Sequence, residues 1–305
     1  MRIVRVAIVG SGAVGCYYGG RLAEHGHDVH FLMRSDFDAV KRDGLHLTSP
    51  LGDAHLQVKA YRSAEEIGPC DLVIIALKAT SNASLLEILP PLLHEHTALL
   101  TLQNGLGNEE FLAQHFGVER VLGGLCFVCI NRTAPGQILH IAQGRISLGE
   151  HTRSPQPRTQ AIAEMLRGAK IECLVEPSLA AARWKKLVWN IPFNGLSIAA
   201  GGIDTAAILA DAALEQRVRD LMHEIISTAR ALGHEIRFSL IDDMIERTRT
   251  MTRYRPSSLI DFEEGREVEL EPIWGEPVRQ AEAAGLAMPR VSELYQELKA
   301  LVSAR

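Results

Sequence analysis

The sequence predicts an α/β fold in which an N-terminal Rossmann-type doubly wound parallel sheet is followed by an all-helical C-terminal domain. Three observations carry that prediction. Residues 3 to 9 form a run, apolar except for Arg5, that passes straight into Gly10-Ser11-Gly12-Ala13-Val14-Gly15 and a helical stretch. Two later segments, 71 to 77 and 97 to 102, are apolar apart from Asp71, Thr97 and Thr101, as strands are when helices cover both faces of their sheet. Past Ser178 no segment reads as a strand. A chain of 305 residues also exceeds what one core usually serves, which favours two domains of roughly 150 residues each.

Taken in order, the helix after Gly12 runs to about His25, where Gly26 ends it, and Asp28-Val29-His30-Phe31-Leu32-Met33 is the second strand. The strands at 71 to 77 and 97 to 102 are joined by a crossover from Ser81 to Leu93. Gly124 to Ile130 reads as a strand, and Gly136 to Ile141 with Arg145 to Gly149 as a hairpin. A helix near Gln160 to Arg167 and a strand from Ile171 to Val175 close the domain. Glu176-Pro177-Ser178 marks the boundary, with Ser178 as an N-cap, so the domains are 1–177 and 178–305. The second is helix after helix: about 179 to 200, 205 to 232, 239 to 251, 257 to 264, 269 to 284 and 290 to 302.

Composition narrows the function classes. The formal charge of -5, with no dense Lys/Arg cluster, gives no footprint for nucleic acid. A small molecule is the expected partner. The opening apolar stretch is too short for a signal peptide and no later run is long enough for a membrane span, so a cytoplasmic protein is expected. Five cysteines make no disulfide framework. Cys126 and Cys129 have C-x-x-C spacing but fall on a strand, where residues three apart face opposite ways, so packing is the expected role. His94-Glu95-His96 lies in a loop without partners at metal spacing, and no metal site is expected. A long helix over 205 to 232 is compatible with a homodimer.

Gly10-x-Gly12-x-x-Gly15 sits between a strand and a helix, the context that makes this pattern a dinucleotide fingerprint. Its first glycine turns the chain, its second admits the pyrophosphate, and its third lets helix and strand pack closely. Ser11, Ala13 and Val14 complete the turn. An NAD site wants an acid at the end of the second strand to hold the ribose 2′-hydroxyl. The chain has Met33-Arg34-Ser35 there, and the Arg34 guanidinium suits a 2′-phosphate, so NADP(H) is the expected cofactor. Asp36 argues the other way. Lys78 and Gln103-Asn104-Gly105 follow strands whose carboxyl ends are where such sheets bind ligands. Position alone leaves open a helix-start lysine and a plain turn.

In the helical domain, Lys186, Asn190 and Asn194 recur every four residues and so share one helical face. A solvated face would carry more charge and fewer asparagines. Pro192 should kink the helix between the two asparagines. Ser257 begins a later helix after Pro256 and Glu269 opens the next; by themselves these read as a cap and a first-turn acid.

With these residues in view, the sequence resembles the ketopantoate reductase family from the first strand to about residue 302. The resemblance is carried by Gly10 to Gly15, Lys78, Gln103-Asn104-Gly105, Trp184-Lys185-Lys186-Leu187 with Asn190 and Asn194, and Ser257 twelve residues before Glu269. It implies NADPH-dependent reduction of 2-dehydropantoate, a small 2-oxo acid, to pantoate. Lys186 would be the proton donor, and Glu269 would orient substrate and lysine. Asn190, Asn194 and Ser257 would bind substrate, and Asn104 would sit where cofactor and substrate meet. Two positions depart from the family pattern: Asp204 and Trp274 stand where asparagines are usual. They leave open a paralogue acting on another 2-oxo acid or an imine; a non-catalytic NADP sensor is a more remote reading.

Overall fold

Along β1 (Arg5–Val9) the side chains of Val6 and Ile8 enter one core and those of Ala7 and Val9 another, which is why the strand is apolar at almost every position. The computed structural model describes residues 5–251 and 253–305; residues 3 and 4 of the expected first strand lie outside them. The chain divides into two compact units. One comprises the residues up to Asn104 together with Asn108–Leu179, and the other Gly105–Gly107 with Ala180–Arg305.

The first unit holds α1 (Ala13–Glu24), β2 (Asp28–Leu32), α2 (Phe37–Asp43), β3 (Leu45–Thr48), β4 (Ala54–Leu56), β5 (Lys59–Tyr61), α3 (Ala64–Ile67) and β6 (Leu72–Ile75). After a 3-10 turn at Ala79–Ser84 come α4 (Leu85–Ile88), β7 (Ala98–Thr101), α5 (Asn108–Phe116), β8 (Val121–Ala134), β9 (Gln137–Glu150), α6 (Pro157–Gly168) and β10 (Cys173–Val175). The sheet order is β4-β3-β9-β8-β7-β6-β1-β2-β5, with β10 beside β9. From β5 through to β8 every pairing is parallel. This is the expected doubly wound sheet. Helices α1 and α6 cover one face through Tyr17, Tyr18, Leu22, Ile162 and Leu166. Leu85 of α4 and Leu112 of α5 pack on the other.

The far edge differs from expectation. Residues 136 to 141 and 145 to 149 are not the arms of a hairpin: 137 to 141 and 145 to 149 are parts of one strand, β9, which pairs antiparallel with β8 along its length, and Gly136 lies in the turn before it. The interruption at Gln143 and Gly144, with φ of 64° and 125°, is an irregularity within the strand and not a reversal. Strands β3, β4 and β5 are too short to have shown an alternating pattern.

The second unit is helical: α7 (Leu179–Ala199, its first residue in the other unit), α8 (Thr205–Ala210), α9 (Ala212–Ala231), α10 (Leu240–Thr250), α11 (Ser257–Glu263), α12 (Glu276–Ala283) and α13 (Pro289–Ser303). Its core is built on Trp184, Leu187, Val188, Ile191, Ile225 and Trp274. The single helix expected over 205 to 232 is broken at Asp211, whose carboxylate accepts from the N–H groups of Ala213 and Leu214 and so caps α9. Helix α7 continues through Pro192. Among the described residues no helix is long and apolar enough to cross a membrane.

Candidate active site

Three glycines shape the turn after β1. Gly10 adopts φ +101°, and a Cβ there would stand 2.3 Å from the Leu77 nitrogen, so both its conformation and its neighbour exclude a side chain. A Cβ on Gly15 would stand 2.1 Å from the Gly10 carbonyl oxygen and 3.0 Å from Ile8, which lets α1 lie directly on β1. At Gly12, the N-cap of α1, a Cβ would meet nothing within 4 Å. The first helical bond runs from the Cys16 N–H to the Gly12 carbonyl at 2.9 Å. The N–H groups of Ala13, Val14 and Gly15 therefore have no acceptor within the helix, and no side chain caps this end. Open space over Gly12, amide donors and the positive end of the helix dipole suit a pyrophosphate. Ser11 braces the turn by donating its hydroxyl to the Leu32 carbonyl at 2.8 Å.

Leu32 ends β2, and Arg34 and Ser35 beyond it are exposed. Asp36 is buried, and its carboxylate accepts from Ser35 Oγ, the Arg132 guanidinium and the Gly136 N–H. The acid that argued against NADP is thus already occupied.

A run of hydrogen bonds lies at the ends of β6 and β7. The Thr101 hydroxyl donates to Gln103 Oε1 at 2.9 Å, Gln103 Nε2 to Asn82 Oδ1 at 2.7 Å, Asn82 Nδ2 to Asn108 Oδ1 at 3.0 Å, and Asn108 Nδ2 to the Asn104 carbonyl at 2.9 Å. The chain has one direction, because each amide spends its oxygen on one neighbour and its NH₂ on the next. It holds the Asn104 peptide to the 3-10 turn that Lys78 begins. Sequence reasoning missed Asn82 and Asn108, whose partners lie up to 26 residues away.

In the helical unit, Asn194 is 3% exposed. Its Nδ2 donates to the Asn190 carbonyl at 3.1 Å, and its Oδ1 accepts the Ser258 N–H at 3.1 Å. That second bond fixes the start of α11, where Ser257 is exposed, against α7. Lys186 and Glu269 are half-buried, Glu269 directly before the helical turn that begins at Leu270. The segment after Glu269 is tied to α7 as well: the Trp274 indole N–H donates to the Ile191 carbonyl at 3.1 Å. Gly195 makes room, since a Cβ there would stand 3.1 Å from Trp274 Nε1 and 2.7 Å from Leu294. Residues 271–275 form a π-helical turn, a widening often found at sites. So α7 gathers the α11 start and the segment following Glu269 by hydrogen bonds to Asn194 and Ile191. Gly105, at φ +81°, would place a Cβ 2.2 Å from the Pro272 carbonyl oxygen, and the Leu106 N–H donates to that oxygen at 2.8 Å.

The two departures from the family pattern have structural work. Trp274 is fully buried in the core. Asp204 is the N-cap of α8, accepting the Ala207 N–H at 2.9 Å, and pairs with Arg253 at 3.1 Å. The Ala207 N–H, then Arg253, hold its carboxyl below the ordinary range. Among the described residues no group of three His, Cys, Asp or Glu side chains is placed to hold a metal ion.

Residues 6–153 match the family model described as Ketopantoate reductase PanE/ApbA, and residues 178–302 the model described as Ketopantoate reductase PanE/ApbA C terminal. A 2-dehydropantoate 2-reductase of Nostoc sp. is 40% identical over 303 residues, 97% of this chain and 95% of that protein. The crystal structure of 2-dehydropantoate 2-reductase from Geobacter metallireducens GS-15 is similar with a TM-score of 0.94 and 46% identity, covering 97% of this chain and 99% of that one. D-mandelate dehydrogenase in its ternary structure with NADH and anilino(oxo)acetate is 20% identical with a TM-score of 0.90, covering 98% of each chain. That last likeness concerns the fold.

Proposed function

Because this chain belongs to the ketopantoate reductase family of oxidoreductases, we propose that it reduces 2-dehydropantoate to pantoate with NADPH. The residues up to 177 act as the cofactor domain and 178–305 as the substrate domain. NADPH, when bound, supplies the hydride that reaches C2 of the 2-oxo acid. Gly10 to Gly15 bind its pyrophosphate on backbone N–H groups, with Ser11, Ala13 and Val14 as the turn. Arg34 pairs with the 2′-phosphate, and Lys78 and Asn104 bind the rest of the cofactor.

As C2 gains its hydrogen, the carbonyl oxygen becomes an alkoxide. Lys186 donates a proton to it and, being half-buried, recovers one from solvent. Glu269 orients the lysine and substrate, while Asn190, Asn194 and Ser257 bind the carboxylate and hydroxyl. The balance is 2-oxo acid, NADPH and one proton in, 2-hydroxy acid and NADP⁺ out.

The observation that carries this reading is α7: it bears Lys186, Asn190 and Asn194 on one face and is hydrogen-bonded to Ser258, next to Ser257, and to Trp274, five residues after Glu269. The paralogue reading rests on Asp204 and Trp274; the capping role of the first and the core position of the second give each a structural reason, which supports the ketopantoate reading. The test is NADPH consumption by the purified protein with ketopantoate and a panel of other 2-oxo acids, repeated with NADH. Ketopantoate should have the highest kcat/KM; its inertness beside turnover of another acid would overturn the assignment.

A further inference from the structure

Asp36 lies two residues past Arg34, close to the position where an acid decides coenzyme choice. It follows the end of β2, in the turn with which a dinucleotide-binding domain meets the adenosine ribose. An aspartate facing the ribose accepts from a 2′-hydroxyl and repels a 2′-phosphate. Here Asp36 is 2% exposed. Ser35 Oγ donates to its Oδ1 at 2.7 Å, the Gly136 N–H to its Oδ2 at 3.0 Å, and the Arg132 guanidinium to Oδ1. Two of these three donors come from the β8–β9 hairpin, 96 and 100 residues along the chain. That hairpin end is itself seated. The Gly136 carbonyl accepts the His46 N–H at 2.8 Å, and a Cβ on Gly136 would stand 2.9 Å from Val40 of α2.

Resting on the proposed use of NADPH, we infer that Arg132 is a specificity-determining residue, which pairs with Asp36 and so withdraws its carboxylate from the position a 2′-phosphate occupies. Arg132 and Asp36 cancel, and Arg34 sets the sign of the turn. Without Arg132 the carboxylate keeps only neutral donors. A buried anion lacking a counter-ion is unfavourable enough to turn outward, toward the ribose. The arginine therefore acts on the coenzyme through the aspartate, from a part of the sequence far from the fingerprint.

The test is the affinity of the intact protein for NADPH and for NADH, by titration calorimetry without substrate, in wild type, R132M, R132K, D36N and the R132M/D36N double variant. R132M should weaken NADPH by about ten-fold, the size expected for one uncompensated charge near a phosphate at moderate salt, and leave NADH unchanged or tighter. R132K should keep most of the preference. The double variant should return to within about two-fold of wild type, because the repelling charge is gone. Equal weakening of both coenzymes, or no recovery in the double variant, would make Arg132 a fold support only and overturn the inference. If R132M does not fold, the comparison passes to R132K and to the double variant, which buries no unpaired charge; loss of NADPH preference in the latter overturns it equally. A wild type that binds both coenzymes alike removes the NADPH reading and this inference together, whereas a preference that survives R132M removes the inference alone.

Discussion

The turn after β1 offers backbone groups to a ligand, and α7 offers side chains. The first is shaped by what is missing: Gly10 and Gly15 could carry no Cβ, and Gly12 leaves open space. The second is shaped by polar groups at four-residue spacing, of which Asn194 accepts from the start of α11, while the Ile191 carbonyl between Asn190 and Asn194 accepts from Trp274. Gly15 is excluded from carrying a side chain by Gly10, five residues away, and the positive φ of Gly10 is its own, so most of the glycine pattern is set locally even though Gly10 also abuts Leu77. A side chain's orientation depends on whatever the rest of the fold brings to it. The two regions should therefore fail differently when altered, the turn through binding and α7 through the chemical step.

The largest expected effect tests α7. Lys186→Ala should lower kcat by about a hundred- to ten-thousand-fold, the range for losing a positioned general acid, with the NADPH dissociation constant unchanged. Single-turnover NADPH oxidation separates the two. A variant that keeps its rate but loses coenzyme would assign Lys186 to the wrong half of the comparison.

How much of the site could be read from the sequence follows the same division. The glycine turn, the β1-α1-β2 opening and the apolar strands β6 and β7 were legible because each rests on local sterics or on burial from both sides. Helices α7, α10, α11 and α13 were legible from periodicity to within a residue or so at either end. The break at Asp211 was hidden, since a capping aspartate between alanines looks like a surface residue of one long helix. The β9 irregularity was misread, because Gln143-Gly144 with positive φ resembles a turn and only the partner strand β8 shows that the chain does not reverse. Ser258, Asn82, Asn108 and Arg132 matter through contacts 26 to 96 residues distant, and no local pattern marks them.

The amide run beside Asn104 stands between the two cases, side chains fixing a piece of backbone. Asn108→Ala would leave the Asn82 amide and the Asn104 carbonyl without that partner, at a cost of about 1 to 3 kcal/mol in stability. A looser Asn104, placed where cofactor and substrate meet, should weaken NADPH affinity and lower kcat/KM for the 2-oxo acid together. Denaturant unfolding alongside steady-state kinetics checks both. A stability loss with unaltered kinetics would make the run a purely structural support.

Gly12→Ala sharpens the other side. With nothing within 4 Å of the new Cβ, the melting temperature should stay near wild type, while NADPH binding weakens by about ten-fold, roughly 1.4 kcal/mol, as the methyl group enters the pyrophosphate space. Gly15→Ala, which would collide with the Gly10 carbonyl, should instead lower the melting temperature. Both variants losing stability alike would mean that Gly12 is a packing position and not an opening.

The smallest effect is expected at Asp204, where restoring the family's asparagine asks whether the acid faces substrate. Asparagine caps a helix about as well as aspartate, and the Arg253 pair is largely exposed on the arginine side, so Asp204→Asn should change stability by less than about 1 kcal/mol at neutral pH. Because the folded protein holds this carboxyl below its ordinary value, its contribution is present above the unfolded-state value and is lost as pH falls through the folded one. The difference between wild type and variant should accordingly shrink under acid, measured by urea unfolding as a function of pH. In kinetics, an acid committed to the Ala207 N–H and to Arg253 leaves the KM for ketopantoate within about two-fold of wild type, well under the 1.4 kcal/mol that a ten-fold change represents. A ten-fold fall in KM would instead mean that Asp204 repels the substrate carboxylate, and it would return the departure from the family pattern to the centre of the substrate question.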